Sequence, residues 1–136
     1  MNEYIFIGGN VIDPSIIEEL EAELGVVFPD DYKSVILQHN GASIVPFAFK
    51  VGEMVESINN FHKVDEKYHF SDERLPDGII PFARDAGDNQ ICFDYREGNI
   101  SILFWDYGSP KNDGLDLSLI ANSFKEFLDM LFEFDE

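Results

Sequence analysis

The order of apolar and polar positions predicts a helix near the start of the chain. Ile17, Leu20 and Leu24 recur at the spacing of one helix face, and glutamates fill the positions between them. Asp13–Pro14 is a typical helix start, with Asp as the cap and Pro in the first turn, and Gly25 is a typical helix end. The pattern therefore predicts an amphipathic helix between Asp13 and Gly25.

A second helix is predicted after a short apolar connection at residues 26–28. It opens at Pro29–Asp31, turns Tyr32, Val35 and Ile36 inward, and closes at His39–Gly41. Asn and Gly are typical of helix ends because both adopt the left-handed conformation with little strain. The two helices are thus expected to form a pair.

Beyond Ile44 the pattern becomes that of strands, rich in Phe, Ile and Val and interrupted by Gly, Pro and Asp. The turns Ala86–Asn89 and Arg96–Asn99 separate the last strands, which predicts consecutive antiparallel hairpins. The segment between Ile58 and Tyr68 is predicted to form a short helix. The predicted strands cover residues 47–51, 79–83, 90–95 and 100–107.

A helical pattern returns at the end of the chain. Ser123–Glu126 has the form of a capping box, and the phenylalanines and leucines around it make an apolar stripe. The sequence therefore predicts an α+β domain in which the helix pair and this last helix pack on one central antiparallel sheet. The residues expected in its core are Leu20, Leu24, Tyr32, Ile36, Phe82, Phe93, Phe104, Phe127, Leu128 and Leu131.

The composition indicates a folded chain with a large negative charge. The sequence has 27 acidic and 9 basic residues, a formal charge of -18, yet 45% of it is hydrophobic and 14% aromatic. Disordered acidic segments lack such apolar content, so the charge is expected on the surface of a globule. A surface of this sign disfavours nucleic acid and anionic membranes as direct partners and attracts basic proteins.

Length and composition predict a single domain over residues 1–136. The N-terminal residues show no signal-peptide pattern, and no apolar run approaches the length of a membrane span. The chain has one cysteine, Cys92, which excludes an intrachain disulfide and fits a reducing compartment. A cytoplasmic location is therefore expected.

The residues give little support to a catalytic function. His62, Glu66 and His69 would share one face of a helix, but their spacing matches no known zinc signature, and a solvated helix face is the better interpretation. Cys92 lies in an apolar strand, an environment that is typical of buried, unreactive thiols. So many carboxylates are present that a pair at catalytic distance carries no signal. We expect no enzyme activity, no cofactor and no metal, and an uncharacterised hydrolase remains an alternative.

Six segments along the chain occur together in an order that is typical of one protein family. They are residues 16–21, Leu24–Tyr32, His39–Gly41, Ile80–Asp85, Cys92–Tyr95 and Ser123–Leu128. In these segments the chain resembles the SUKH superfamily, whose members are similar to a yeast regulator of cell-wall synthesis. The resemblance runs from about Asp13 to Phe132 and thus covers nearly the whole sequence.

What the resemblance implies is an α+β domain with a central antiparallel sheet and, for most bacterial members, an immunity protein that neutralises a toxin. Many such toxins are nuclease domains of secreted polymorphic toxins. Nuclease domains tend to be basic because they hold a phosphate backbone, so the acidic charge points the same way. A regulatory scaffold of the same fold is the alternative.

If the partner is a basic toxin domain, carboxylates in turns and at strand ends are the expected contacts, since the scaffold holds them out rigidly. They would pair with the toxin's Arg and Lys while aromatic side chains fill the centre of the interface, which blocks the toxin's cleft without chemistry. The candidate partner-binding residues are Asp85, Asp88, Asp94, Glu97, Asp106, Asp113, Trp105 and Tyr107.

Overall fold

A computed structural model of the chain describes residues 3–106 and 116–134. Helix α1 (Pro14–Leu24) begins as the sequence predicts, because the Asp13 carboxylate accepts a hydrogen bond from the Ser15 N–H at 2.9 Å. It ends at Gly25, whose φ of 71° is left-handed. Helix α2 (Asp30–His39) follows and buries Tyr32 and Ile36, so the predicted helix pair is confirmed.

The strands form one larger sheet and two ribbons in place of the single sheet predicted from sequence. Within the described residues the larger sheet is antiparallel, in the order β5-β6-β7-β8-β9, and β1 pairs with β2 and β3 with β4. The strands are β1 (Ile5–Ile7), β2 (Ser43–Val45), β3 (Ala48–Val51), β4 (Met54–Ser57), β5 (Asn60–Phe61), β6 (Ile79–Arg84), β7 (Gln90–Asp94), β8 (Ser101–Trp105) and β9 (Leu117–Ala121).

The prediction of a helix between Ile58 and Tyr68 is wrong. Asn60 and Phe61 form β5 and pair with Arg84 and Ala83 of β6, and only Lys67–Phe70 is helical, as a 3-10 turn. Pairing with β6 buries Phe61 completely, and this burial outweighs the local preference for a helix.

Phenylalanine rings fill the space between the helices and the larger sheet. The rings of Phe82 and Phe93 stack with centroids 4.1 Å apart, and Tyr32 meets Phe93 edge-on at 5.0 Å. Helix α3 (Phe124–Asp129) adds Phe124 and Phe127 to the same core. Every predicted core residue is buried except Leu24, which is half-buried against the core. The architecture is therefore the predicted α+β class.

The opposite face of the sheet carries a smaller apolar cluster. Leu75, Ile79, Cys92, Leu103 and Trp105 are buried there. No helix among residues 3–106 and 116–134 is long and apolar enough to cross a membrane.

Candidate functional site

The described candidate residues lie at two opposite ends of the β6-β7-β8 sheet. Arg84, Gln90 and Trp105 are register partners at one end, where the turn between β6 and β7 and the end of β8 meet. Asp94 lies at the other end, opposite Ser101. Four residue steps along a strand separate the two ends by about 14 Å. The candidates Tyr107 and Asp113 lie outside the described residues.

Asp85 organises the turn between β6 and β7. Its Oδ1 accepts hydrogen bonds from the Gly87 and Asn89 N–H groups, both at 2.9 Å, and its Oδ2 accepts one from Asn89 Nδ2 at 2.9 Å. Only 7% of the residue is exposed. The Asp85 carboxylate is therefore occupied within the chain, and its role toward a partner remains a prediction.

Asp88 projects from the same turn into solvent. It has a φ of 68°, the left-handed conformation that Asp tolerates better than most residues. Its side chain is 69% exposed, and its Oδ1 accepts a hydrogen bond from Arg84 Nη1 at 2.9 Å. Asp88 is thus a carboxylate held at a fixed position with most of its surface open.

Asp106 and Glu56 bring further negative charge to this end of the sheet. Asp106 directly follows β8 and donates its N–H to the Asp116 carbonyl at 3.0 Å. Burial raises the pKa of Glu56 on β4, and the negative charges of Asp85 and Asp106 raise it further. We call Glu56, Asp88 and Asp106 the acidic edge.

Trp105 is buried inside the chain at this end. It is 1% exposed, belongs to the smaller apolar cluster, and has the Arg74 guanidinium 5.0 Å from its ring centroid. The guanidinium lies over the indole ring and helps to enclose it. A place for Trp105 at the centre of a partner interface remains a prediction.

Asp94 and Glu97 lie at the far end of the sheet. Asp94 Oδ1 accepts hydrogen bonds from the Arg96 N–H and Nε, both at 3.0 Å. Burial acts to raise the pKa of Asp94, but the hydrogen bonds and charge of Arg96 outweigh burial and leave this pKa lowered. Glu97 is exposed in the following bend. Two of the candidates are therefore separated from the acidic edge by the length of the strands.

A cavity of about 550 Å³ adjoins the acidic edge at Asp88. We call it the histidine pocket, and its lining includes His62, Lys63, His69, Arg84, Asp88 and Gln90.

The histidine pocket contains a stacked pair of imidazoles. The ring centroids of His62 and His69 are 4.8 Å apart, and the two ring planes are nearly parallel, at 5° to each other. Gln90 donates its Nε2 to the Asp88 carbonyl at 2.9 Å, which turns its Oε1 toward His62 Nε2 at 2.7 Å. Because an amide oxygen only accepts, His62 carries its proton on Nε2. Burial is the main cause that lowers the pKa of His62 to about 4.

The groups at this end are suited to binding charged and polar groups of a partner. No set of three or more His, Cys, Asp or Glu side chains in the described parts of the chain is arranged to hold a metal ion. Cys92 is fully buried on the opposite face, and burial, followed by the charges of Asp72 and Asp94, raises the pKa of its thiol. That thiol is therefore not activated as a nucleophile.

Comparison with known proteins identifies the family. The model of the SMI1 / KNR4 family (SUKH-1) matches residues 12–130. The chain belongs to this family. Membership in SMI1/KNR4 places it among domains of the immunity-protein type, and the described helices and antiparallel sheets agree with that family's α+β class.

Two relatives of this SMI1/KNR4 chain come from Bacillus subtilis strain 168. The uncharacterized protein YnaB is 57% identical over 118 residues, which cover 87% of this chain and 74% of YnaB. The SPbeta prophage-derived uncharacterized protein YokK is 31% identical over 140 residues, which cover 82% of this chain and 70% of YokK.

The sequence pattern did not indicate the pocket residues Lys63, Arg84 and Gln90 of this SMI1/KNR4 domain. Arg84 and Gln90 flank the predicted β6–β7 turn, so the register of the hairpin was a usable signal for both. Lys63 had no such signal, because its position depends on β5 pairing with a strand more than 20 residues away.

Proposed function

We propose that this chain is an immunity protein that acts in the cytoplasm by binding and occluding a cognate toxin domain. The proposed toxin is a basic nuclease domain of a secreted polymorphic toxin. Membership in the SMI1/KNR4 family supports the class of function, and the formal charge of -18 supports the sign of the partner.

The observation that carries the proposal is the electrostatics of the acidic edge. Burial raises the pKa of Glu56, and the charges of Asp85 and Asp106 raise it further, so like charges are held close together by the fold. A Lys or Arg from a partner would relieve that repulsion and gain charge-assisted hydrogen bonds. Asp88 offers the most open carboxylate of the group.

Occlusion needs no chemistry on either side. The carboxylates of the acidic edge would occupy the Arg and Lys side chains that otherwise hold substrate phosphates. A toxin whose basic cleft is filled in this way cannot bind nucleic acid, because protein and nucleic acid compete for the same charges.

The proposal predicts a large secreted protein encoded beside this chain's gene, and it is tested with the C-terminal domain of that protein. We expect the two to co-purify, and the double variant Asp88→Asn with Asp106→Asn to weaken binding by about tenfold or more, since it removes two charge-assisted contacts. Asn suits position 88 because it also tolerates the left-handed conformation. Binding is measured by calorimetry and protection by growth of toxin-expressing cells.

The matched control is Glu18→Gln with Asp30→Asn, which removes the same charge from exposed positions on α1 and α2. It should reduce affinity only slightly. Equal loss in both double variants would mean that the acidic edge is not the contact surface. Absence of any complex with the neighbouring domain would favour a regulatory scaffold in place of immunity.

A further inference from the structure

Lys63 is an unusual cation in this acidic chain. Of the eight Lys and Arg residues in the described segments, only Lys50 and Lys63 have no carboxylate oxygen within 4.0 Å. Lys63 is exposed and lies in the lining of the histidine pocket. An unpaired ammonium therefore lines a cavity on a molecule with three acids for every base.

The backbone around Lys63 is firmly held. Asn40 is fully buried, and its side chain accepts a hydrogen bond from the Val64 N–H at 2.9 Å and donates one to Asp65 at 2.8 Å. On the other side, the His62 N–H bonds the Phe82 carbonyl at 2.9 Å. Lys63 is thus fixed between two anchored neighbours.

Its side chain lies across a glycine that leaves room for it. Gly41 has a φ of 79°, and a Cβ placed there would meet Lys63 Cγ at 2.7 Å and Cε at 3.1 Å. Any other residue at position 41 would therefore displace the Lys63 stem. The Asn40–Gly41 pair at the end of α2 sets both the backbone and the side-chain position of this lysine.

The carboxylates in the histidine pocket already have partners. Glu66 Oε1 is 3.3 Å from His69 Nε2, and Asp88 Oδ1 is 2.9 Å from Arg84 Nη1. Of the Lys and Arg residues in the lining, Lys63 is therefore the one with no carboxylate oxygen within 4.0 Å. The Lys63 ammonium can therefore donate hydrogen bonds to an anionic group from outside the chain.

We infer that the histidine pocket receives an acidic side chain of the otherwise basic partner, bound by Lys63, whose stem lies over Gly41. The inference rests on the proposed function and deepens it. The net charge of this chain weakens the binding of a free anion at low ionic strength, an effect that salt screens, whereas a carboxylate carried on a basic domain is brought in by that domain's own charge. Steering alone favours any basic protein, whereas a lysine without a carboxylate partner within the acidic surface selects one partner and one orientation.

The test compares Lys63→Gln with Lys50→Gln, using the toxin domain described above. Both variants add one net negative charge, and Lys50 is exposed on β3 outside the pocket lining. We expect equal, slightly faster association for both. Dissociation should become about tenfold faster for Lys63→Gln alone, since only this variant removes a charge-assisted contact. Both rates are read by surface plasmon resonance.

A second variant, Gly41→Ala, displaces the Lys63 stem without altering charge. Circular dichroism first confirms that it is folded, and it should then show faster dissociation with unchanged association. Dissociation rates equal to those of Lys50→Gln in both variants would overturn the inference while leaving the immunity function intact.

An arm without the partner separates the pocket from the proposed function. Sodium acetate, compared with sodium chloride at equal ionic strength, should shift the backbone NMR signals of Lys63 and Gln90 in a saturable way. That shift should be absent in Lys63→Gln. If the toxin domain does not bind at all, the proposed function fails and this titration alone decides: a saturable shift supports a carboxylate pocket, and no shift overturns it.

Discussion

His62 combines almost complete burial with a position in the lining of the histidine pocket. The residue is 3% exposed, and its pKa is lowered to about 4 chiefly by burial, against the hydrogen bond that His62 donates to Gln90, which acts to raise it. His69 and Arg84 lower this pKa further, and the charge of Asp88 acts to raise it. The folded protein therefore holds this imidazole neutral at pH values where an exposed histidine is charged.

This shift predicts a specific loss of stability in acid. Between the ordinary value of 6.5 and about 4, the unfolded chain binds a proton at His62 that the folded chain does not. Stability should fall as pH drops through that window, by about 3 kcal/mol in all, and this contribution should level off below it. Urea unfolding across the window measures the free energy of unfolding.

The comparison for this prediction is His62→Gln, which cannot be protonated. Its free energy of unfolding should vary less with pH than that of the native chain over the same window. The lowered pKa values of Asp72 and Asp94 act below the ordinary Asp value of 3.8, so they do not imitate the effect. Parallel pH curves for the two proteins would refute the assignment to His62.

Helix α3 is short, and hydrogen bonds at its N-terminal end and the packing of its apolar face stabilise it. The Ser123 Oγ accepts a hydrogen bond from the Glu126 N–H at 3.0 Å, and the Glu126 carboxylate accepts one from the Asn122 N–H at 3.0 Å. Phe127 is fully buried, with its ring centroid 5.3 Å from that of Phe49. Six residues form few helical hydrogen bonds, so packing dominates the stability of α3.

Truncation of Phe127 to Ala should therefore lower the free energy of unfolding by about 3 to 5 kcal/mol, because it leaves a cavity between α3 and the sheet. Phe134→Ala is the control, since that ring is 46% exposed. Chemical denaturation should show a small loss for Phe134→Ala. A loss of similar size for both would mean that α3 contributes little to the core.

The sequence predicted the elements whose signals are local. The strands β6, β7 and β8 lie within one or two residues of their predicted positions, because Gly, Asp and Asn turns separate them. The ribbon of β1 and β2 was missed, since each strand has three residues and Ile5 pairs with Val45 far along the chain. Short strands joined over long distances leave little periodic pattern.

The candidate site was predictable in part for the same reason. Asp85, Asp88 and Asp94 all look alike as turn carboxylates in the sequence. All three accept hydrogen bonds within the chain, but Asp85 and Asp94 are buried whereas the Asp88 side chain is 69% exposed, and only the fold decides this. Turn chemistry thus located the acidic end of the sheet but could not separate its internal from its exposed carboxylates.

At the scale of the whole molecule, the charge of -18 predicts how binding depends on salt. Association with a basic toxin domain should be fast at low ionic strength and slow markedly as the Debye length falls from about 10 Å at 0.1 M toward about 3 Å at 1 M. Dissociation should change less, because close contacts are screened less than long-range attraction. Stopped-flow kinetics over a salt series measures both rates, and an association rate that does not depend on salt would exclude steering.

The position of the chain's one tryptophan gives the acidic edge its own optical signal. Trp105 directly precedes Asp106, and its ring is enclosed by the smaller apolar cluster and the Arg74 guanidinium. Indole fluorescence depends on the polarity and charge around the ring. Emission from this single fluorophore therefore originates beside the proposed contact surface, and no dye needs to be attached to follow events there.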